Sequence, residues 1–261
     1  MSGLATEFAA RIRRRERAIG YWSAMDAPVA TERIGRLGYD YVVLDAQHGL
    51  IGYSGILNGL TAIDAGAQAV GMVRVEDNHL TLTPIGRALD AGAAGVIVPL
   101  VNTPAEAASA VSATRYPPAG RRSYGPMRSG LRIGPRPSEA DASTLVFAMI
   151  ETREGLENVE AICRTPGLDG VYVGPSDLVL GLGGAFPGDP AVAGEFEAAL
   201  RAVSEAAKAA GVASGIHTHD GEVAAKRLAE GFTFASVASD LVHLELAARA
   251  HLTAARGRTH Q

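Results

Sequence analysis

Two acidic residues follow neighbouring apolar runs, and together they could hold a divalent cation. Glu151 directly follows Leu145–Ile150, and Asp177 follows Gly170–Val173 after a Gly-Pro-Ser turn. If both runs are parallel strands of one sheet, their carboxyl ends lie at the same edge and the carboxylates converge. Two carboxylates without a nearby cysteine favour a hard cation such as Mg²⁺ or Mn²⁺. The alternative is that each acid pairs with an arginine, for example Glu151 with Arg153.

A candidate acid–base pair lies after another buried run. In YVVLDAQHG, Asp45 ends the run and His48 comes three residues later. The His48 ring could donate one N–H to the Asp45 carboxylate, which would leave its other nitrogen as a base that titrates near neutral pH. The alternative is a histidine with a structural role only.

Other polar residues occupy corresponding places. Arg74 ends GMVR and could bind a carboxylate with two hydrogen bonds or stabilise an oxyanion; the alternative is a pair with Glu76 or Asp77. Gly174 and Ser176 open a short helix whose free N–H groups would bind an anion. The remaining polar residues after predicted strands are Trp22, Ser239, Asp240 and the pair His217 and His219, which we interpret as lining.

These residues share one edge if the chain is an α/β protein of repeated strand–helix units. Continuous apolar runs such as GVIVPL are typical of parallel strands that are buried on both faces. A doubly wound sheet would need a glycine-rich phosphate turn after its first strand, and YWSAMDAP has none. The predicted fold is therefore a (β/α)8 TIM barrel, a single domain over residues 1–261. The predicted strands are Gly20–Ser23, Tyr41–Asp45, Ala69–Arg74, Gly95–Pro99, Leu145–Ile150, Gly170–Val173, Ala213–Ile216 and Phe234–Val237.

Helices are predicted between the strands and at both ends of the chain. We expect residues 1–17 to form an N-terminal helix, and residues 239–256 to form a C-terminal helix that packs on a neighbouring subunit. The Arg-, Gly- and Pro-rich stretch Tyr116–Ser138 is predicted to be a long loop. The helices predicted between strands are Pro84–Ala91, Pro104–Thr114, Glu154–Arg164, Ala191–Ala210 and Gly221–Glu230.

Composition excludes several classes of protein. The 261 residues are 47% hydrophobic and carry a formal net charge of −4, which argues against a nucleic-acid binder. Cys163 is the only cysteine, so no intramolecular disulfide can form. No apolar run approaches the roughly 18–20 residues of a membrane helix, so we expect a cytoplasmic protein. The glycine-rich segment 181–188 lacks the strand and the Lys-Ser/Thr of a nucleotide loop, so no nucleotide is expected.

The lysines argue against one kind of covalent catalysis. A Schiff-base enzyme needs a desolvated lysine at a strand end. The chain has two lysines, Lys208 and Lys226, and both lie in predicted outer helices. We therefore expect no Schiff-base lysine.

Four segments in order, YDYVVLDAQHG, VRVEDN…LDAGAAGVIVPLVNTPAEA, TRYPPAGRRSYGP and IETREGLENVEAI…GLDGVYVGPSDL, resemble the HpcH/HpaI family of metal-dependent (class II) pyruvate aldolases. The resemblance runs from about Ile19 to Leu252. It implies a (β/α)8 barrel that assembles as a homohexamer. It also implies cleavage of a 4-hydroxy-2-oxo acid to pyruvate, or a close analogue such as hydroxypyruvate, and an aldehyde. The reaction would pass through an enolate stabilised by a divalent cation (Mg²⁺, Mn²⁺ or Co²⁺).

The resemblance implies a role for each catalytic candidate. Glu151 and Asp177 would be the metal ligands. His48, held by Asp45, would be the base together with a metal-bound water. Arg74 would stabilise the enolate oxygen.

It also implies how the substrate is bound. Backbone N–H groups at Ser176 and Asp177, which follow Gly174, would hold the pyruvate carboxylate. Trp22 would line the pocket with Gln47. Asp90, in ALDAG, matches a position that is contributed across a subunit interface.

Two positions depart from the family pattern. The motif D-x-E-H-G has Gln47 in place of the acid, and Met149 stands where many members have glutamine.

Two other functions stay open. A citramalyl- or malyl-CoA-type lyase is one alternative, and it could use the loop arginines for the charge of its thioester. A catalytically silent metabolite-binding barrel is the other. The loop arginines are Arg121, Arg122 and Arg128.

Overall fold

The strands pair in chain order and all run parallel, and the last pairs with the first to close a barrel. The computed structural model describes residues 2–77 and 82–257; Met1, residues 258–261 and residues 78–81, which include the last residue of the VRVEDN segment, lie outside this range. The strands in the described residues are β1 Ala18–Ser23, β2 Tyr41–Asp45, β3 Val70–Arg74, β4 Gly95–Val98, β5 Leu145–Ile150, β6 Gly170–Val173, β7 Ala213–Thr218 and β8 Phe234–Val237. The predicted (β/α)8 barrel is confirmed.

Helices connect the strands around the outside of the barrel. A 3₁₀ turn, Pro190–Val192, precedes the longest of them. The helices in the described residues are α1 Ser2–Arg13, α2 Pro28–Ile34, α3 Tyr53–Gly66, α4 Leu82–Asp90, α5 Pro104–Thr114, α6 Ser129–Arg132, α7 Pro137–Ser143, α8 Arg153–Glu157, α9 Val159–Cys163, α10 Pro175–Gly181, α11 Ala193–Ala210, α12 Gly221–Ala229 and α13 Asp240–Ala255. None of the described helices is long and apolar enough to span a bilayer.

Several predicted bounds need correction. The N-terminal helix predicted over residues 1–17 ends at Arg13, because Arg15 adopts a left-handed conformation with φ 59°, and β1 begins at Ala18 rather than at Gly20. The helix predicted over Glu154–Arg164 is divided at Asn158, which caps both α8 and α9. The loop predicted over Tyr116–Ser138 contains α6 and the start of α7, because Tyr116 packs with Ile133 and Ala140 in a small buried cluster. Strand β7 continues to Thr218 rather than ending at Ile216, since its ladder with β8 pairs Thr218 with Val237.

The amino-terminal end of the barrel is closed by α1. Phe8 and Ile12 are buried among residues that begin the strands, and the Phe8 ring lies 5.7 Å from that of Tyr41. Beside them, Asp169 accepts hydrogen bonds from Arg13 Nε at 2.8 Å and from Arg115 Nη2 at 3.3 Å. This network attaches α1 to the start of β6.

Helix α13 leaves the barrel without covering it. None of its residues is buried, and Leu244 and Leu246 are 58% and 59% exposed. Its first turn is nevertheless attached to β1, because Asp240 accepts a hydrogen bond from the Ser23 hydroxyl at 2.7 Å. Its packing on a neighbouring subunit therefore stays a prediction.

Candidate active site

Glu151 is a buried carboxylate at the carboxyl end of β5, and one of its oxygens is unused. Oε1 accepts a hydrogen bond from the backbone N–H of Leu100 at 2.7 Å. Oε2 is buried and has no hydrogen-bond partner among the described residues. The alternative pairing with Arg153 is wrong, because Arg153 Nη1 lies 3.1 Å from an oxygen of Glu195. Leu100 had no signal in the sequence, since it acts through its backbone.

Asp177 lies in the first turn of α10, beside Glu151. Strands β5 and β6 are paired at their ends, Ile150 with Val173. Burial raises the pKa of Glu151 to about 7, and the negative charge of Asp177 contributes in the same direction. The structure therefore brings the two predicted metal ligands within electrostatic reach of each other.

This pair of carboxylates fits a divalent cation. A buried carboxylate oxygen without a partner and a second negative charge beside it are both unfavourable unless a cation compensates them. A Cβ on Gly174 would lie 2.5 Å from Glu151 Oε2, so only glycine lets the backbone approach this oxygen so closely. The described residues contain no group of three or more His, Cys, Asp and Glu side chains that could hold a metal. Water or substrate would have to supply the remaining ligands.

Arg74 and Asp45 form a buried ion pair at the ends of adjacent strands. The register of β2 and β3 places them opposite each other. Arg74 donates from Nε to Oδ1 at 2.9 Å and from Nη2 to Oδ2 at 2.6 Å. Burial alone would raise the pKa of Asp45, but the hydrogen bonds and charge of Arg74, with donors from His48 and Trp22, hold it below its ordinary value. The partner of Arg74 is thus Asp45, rather than the Glu76 or Asp77 of the alternative.

The predicted contact between the His48 ring and Asp45 is wrong. The backbone N–H groups of His48 and Gln47 donate to Asp45 Oδ1, at 3.2 and 3.1 Å, whereas no ring-to-carboxylate bond occurs between these described residues. The turn is tight, since a Cβ on Gly49 would lie 2.2 Å from the Asp45 carbonyl oxygen. Asp45 therefore orients Arg74 and holds the turn that carries His48, but it makes no hydrogen bond with the His48 ring that lines the cavity.

A cavity of about 190 Å³ at the carboxyl end of the barrel is lined by Asp177, Arg74 and His48 together. Arg74 also lies 5.0 Å from the centre of the Trp22 ring. Gln47 does not line this cavity, and its Oε1 is buried without a hydrogen-bond partner among the described residues. The residues that line the cavity are Trp22, His48, Arg74, Met149, Gly174, Pro175, Ser176, Asp177 and His217.

His217 contributes one wall of this cavity. Its ring meets the Trp22 ring edge-on, with the centres 5.0 Å apart. Burial, followed by the positive charge of Arg74, lowers the pKa of His217 to about 4, so the imidazole is neutral near pH 7. The sequence placed His217 at the mouth but indicated no partner for it.

Asp90 is not part of this cluster. It ends α4 and so lies near the start of β4, at the other end of the barrel. Its carboxylate accepts a hydrogen bond from Arg122 at 2.9 Å. A role at the active site would therefore need a neighbouring subunit, and it stays a prediction.

Comparison with known proteins decides the family. The family model described as HpcH/HpaI aldolase/citrate lyase matches residues 18–247. The chain belongs to this family. It is 42% identical over 240 residues to a hydroxypyruvate/pyruvate aldolase of Rhizorhabdus wittichii, covering 92% of this chain and 94% of the relative. A 5-keto-4-deoxy-D-glucarate aldolase of Klebsiella pneumoniae is 36% identical over 238 residues, with 90% and 91% covered.

A solved structure agrees with this assignment. The crystal structure of a family member from Burkholderia cenocepacia superposes with a TM-score of 0.88 at 32% identity, covering 97% of this chain and all of the other. The predictions of the family, of the barrel and of an aldolase are confirmed.

Proposed function

We propose that this aldolase cleaves a 4-hydroxy-2-oxo acid to pyruvate, or hydroxypyruvate, and an aldehyde, and that it catalyses the reverse addition. The observation that carries the proposal is the buried, unpartnered Oε2 of Glu151, whose carboxylate feels the charge of Asp177, a residue that lines a cavity sized for a small acid. The names of the relatives, which include a hydroxypyruvate/pyruvate aldolase, support the same reaction class.

Glu151 and Asp177 would hold the cation, with Mg²⁺, Mn²⁺ and Co²⁺ as candidates. When bound, a divalent cation polarises the carbonyl group of a 2-oxo acid and makes the protons on the adjacent carbon more acidic. Gly174 keeps the backbone clear of Glu151, so that this oxygen can face a ligand.

The start of α10 would hold the carboxylate of the substrate. The first intrahelical bond there runs from Leu178 N–H to the Gly174 carbonyl. The N–H groups of Ser176 and Asp177 precede this bond, so the helix itself does not use them. They would bind and orient the carboxylate next to the acidic pair.

His48 would accept a proton from the substrate, and Arg74 would stabilise the negative charge that develops on it. The His48 ring lines the cavity and would accept a proton from the carbon next to the keto group. Arg74 would stabilise the negative oxygen that results, because its guanidinium is held in place by two hydrogen bonds to Asp45. Asp45 would thus be a positioning residue for Arg74, while Trp22 would line the cavity beside Arg74.

We propose a homohexamer because two features of the single chain are exposed or lie far from its own site. The exposed apolar residues of α13 support packing on a neighbouring subunit. Asp90, remote from the site of its own chain, could reach a neighbour's site in a homohexamer. We also propose a cytoplasmic protein without a Schiff-base lysine. Lys208 and Lys226 lie on α11 and α12, outside the barrel.

The two alternatives have less support. A CoA-thioester lyase would draw on the loop arginines, but Arg122 is paired with Asp90 and Arg128 with Asp64, away from the mouth of the same chain. A catalytically silent barrel would have no use for an unpartnered buried acid.

Proton exchange tests the proposal directly. Pyruvate is incubated with the enzyme in D₂O, and the methyl signal is followed by ¹H NMR. We expect loss of that signal with Mg²⁺, Mn²⁺ or Co²⁺, and we expect EDTA to stop it until cation is restored in excess. Binding of pyruvate without exchange under any of the three cations would favour the silent barrel instead.

A further inference from the structure

His217 stands between two cavities at the carboxyl end of the barrel. One is the site cavity of about 190 Å³, and the other is a cavity of about 390 Å³ between β7 and the helices that flank it. Pro175 and Ser176 line both cavities as well. His217 is thus a wall residue of the site, placed beside the start of α10.

One ring nitrogen of this wall is unused by the protein. Nδ1 of His217 is buried and has no hydrogen-bond partner among the described residues. A buried polar atom without a partner is unfavourable, whereas an apolar side chain of similar size would pack equally well against Trp22. A ligand hydroxyl in the cavity would satisfy Nδ1.

The orientation proposed above indicates which part of the substrate meets this wall. With the carboxylate at the start of α10 and the keto oxygen near Arg74, the third carbon of the 2-oxo acid would lie between His48, which would accept its proton, and the wall formed by Trp22 and His217. Pyruvate has only a methyl group there, and hydroxypyruvate has a hydroxyl. We propose that His217 hydrogen-bonds through Nδ1 to the C3 hydroxyl of the donor, so that the site favours 3-hydroxy-2-oxo acids over unsubstituted ones. This inference rests on the proposed function and names its donor class.

The test compares two donors of nearly equal size. Hydroxypyruvate carries a hydroxyl where 2-oxobutyrate carries a methyl group. Trp22 is the only tryptophan of the chain, and it contacts His217, so its fluorescence reports binding of either acid in the presence of Mg²⁺. The quantity measured is the ratio of the two dissociation constants, in which any loss common to both ligands cancels.

Three variants separate the hydrogen bond from packing. His217→Leu removes Nδ1, and we expect the preference for hydroxypyruvate to fall by about three- to tenfold. His217→Asn keeps a polar atom close to Nδ1, and we expect it to retain most of the preference. His219→Leu is the matched control, because this histidine is 78% exposed on its side chain and does not line the site cavity; its ratio should equal that of the wild type.

A second measurement does not depend on any variant. In ¹⁵N-histidine spectra of the wild type, hydroxypyruvate should shift the Nδ1 resonance of His217, and 2-oxobutyrate should leave it nearly unmoved. Equal shifts, or an unchanged ratio in His217→Leu, would overturn the inference. Pyruvate exchange keeps this result apart from the larger proposal: if the wild type fails to exchange, the proposed function is wrong, and if it exchanges while the ratio is unchanged, only the role of His217 is wrong.

Discussion

Two buried carboxylates, at opposite ends of the barrel, differ in how completely the protein satisfies them. Asp169, which precedes β6, accepts hydrogen bonds from Arg13, from Arg115 and from the backbone N–H of Val146 at 2.9 Å. Glu151, which follows β5, accepts one from Leu100, and its second oxygen is left without a partner.

This difference indicates that Asp169 has a structural role and that Glu151 is available to bind a ligand. The network around Asp169 balances its charge and ties α1 to the sheet. The environment of Glu151 instead favours its protonated form, so its ionised form weakens the apoprotein unless a cation binds. An acid with an unpartnered oxygen thus lies at the carboxyl end of the barrel, and a fully hydrogen-bonded acid lies at the amino end. This agrees with the general rule that the carboxyl end of a (β/α)8 barrel carries the active site and the amino end contributes stability.

Replacing the acid at the mouth should have the largest effect on activity. Glu151→Gln keeps the shape of the side chain but removes its charge, so the cation loses a ligand. We expect the pyruvate exchange rate to fall by about a thousandfold. Without added cation, the melting temperature should be equal to or above that of the wild type. A clear drop in melting temperature would mean that Glu151 is structural and would remove the contrast with Asp169.

The matching change at the other end should act on stability. Asp169→Asn leaves Arg13 and Arg115 without a compensating charge, and we expect the free energy of unfolding to fall by about 3 kcal/mol. Urea denaturation measures this change. Exchange activity per folded molecule should stay within about threefold of the wild type. A large loss of activity in a fully folded variant would show that the two ends are not independent.

The Arg74–Asp45 pair tests whether a well-paired group at the mouth also serves catalysis. Arg74→Lys retains the positive charge but loses the two parallel hydrogen bonds. We expect about a hundredfold loss in exchange rate. Asp45→Asn should lower the rate in the same direction if Asp45 acts by orienting Arg74. An unaffected rate in both variants would assign the pair to stability alone.

The smallest effect concerns pH. The folded-state pKa of His217, about 4, lies below its ordinary value, so between pH 6.5 and 4 the unfolded chain binds more protons than the folded one. The contribution of His217 to the free energy of unfolding is therefore complete above pH 6.5. It is lost as the pH falls, by about 1–2 kcal/mol at pH 5. The groups that act on its titration are Arg74, Asp45 and His219. The urea midpoints measured at pH 7 and at pH 5 should therefore differ less in His217→Leu than in the wild type.

The barrel could be predicted from local pattern because its strands are buried on both faces. Leu145–Ile150, Gly170–Val173 and Phe234–Val237 are continuous apolar runs, and their bounds agree with the structure. The two short helices after Tyr116 were missed because their stability comes from tertiary packing under Arg- and Gly-rich sequence, which has no helical pattern.

Most residues of the candidate site were predicted from the sequence, but Gln47 and Asp90 do not line its cavity, and the contacts between the site residues were not predicted. The convergence of Glu151 and Asp177 follows from adjacent parallel strands. The pairing of Arg74 with Asp45 depends on the register of β2 and β3, which a single sequence does not specify. The role of Leu100 could not be predicted either, because every residue but proline has the same N–H.

Because α1 closes one end of the barrel, the two ends of the molecule are not equivalent when the protein is immobilised on a surface. Since Phe8 and Ile12 seal that end, small molecules must enter from the opposite side. A tether at the amino terminus would therefore anchor the enzyme with its entrance facing outward into the solution.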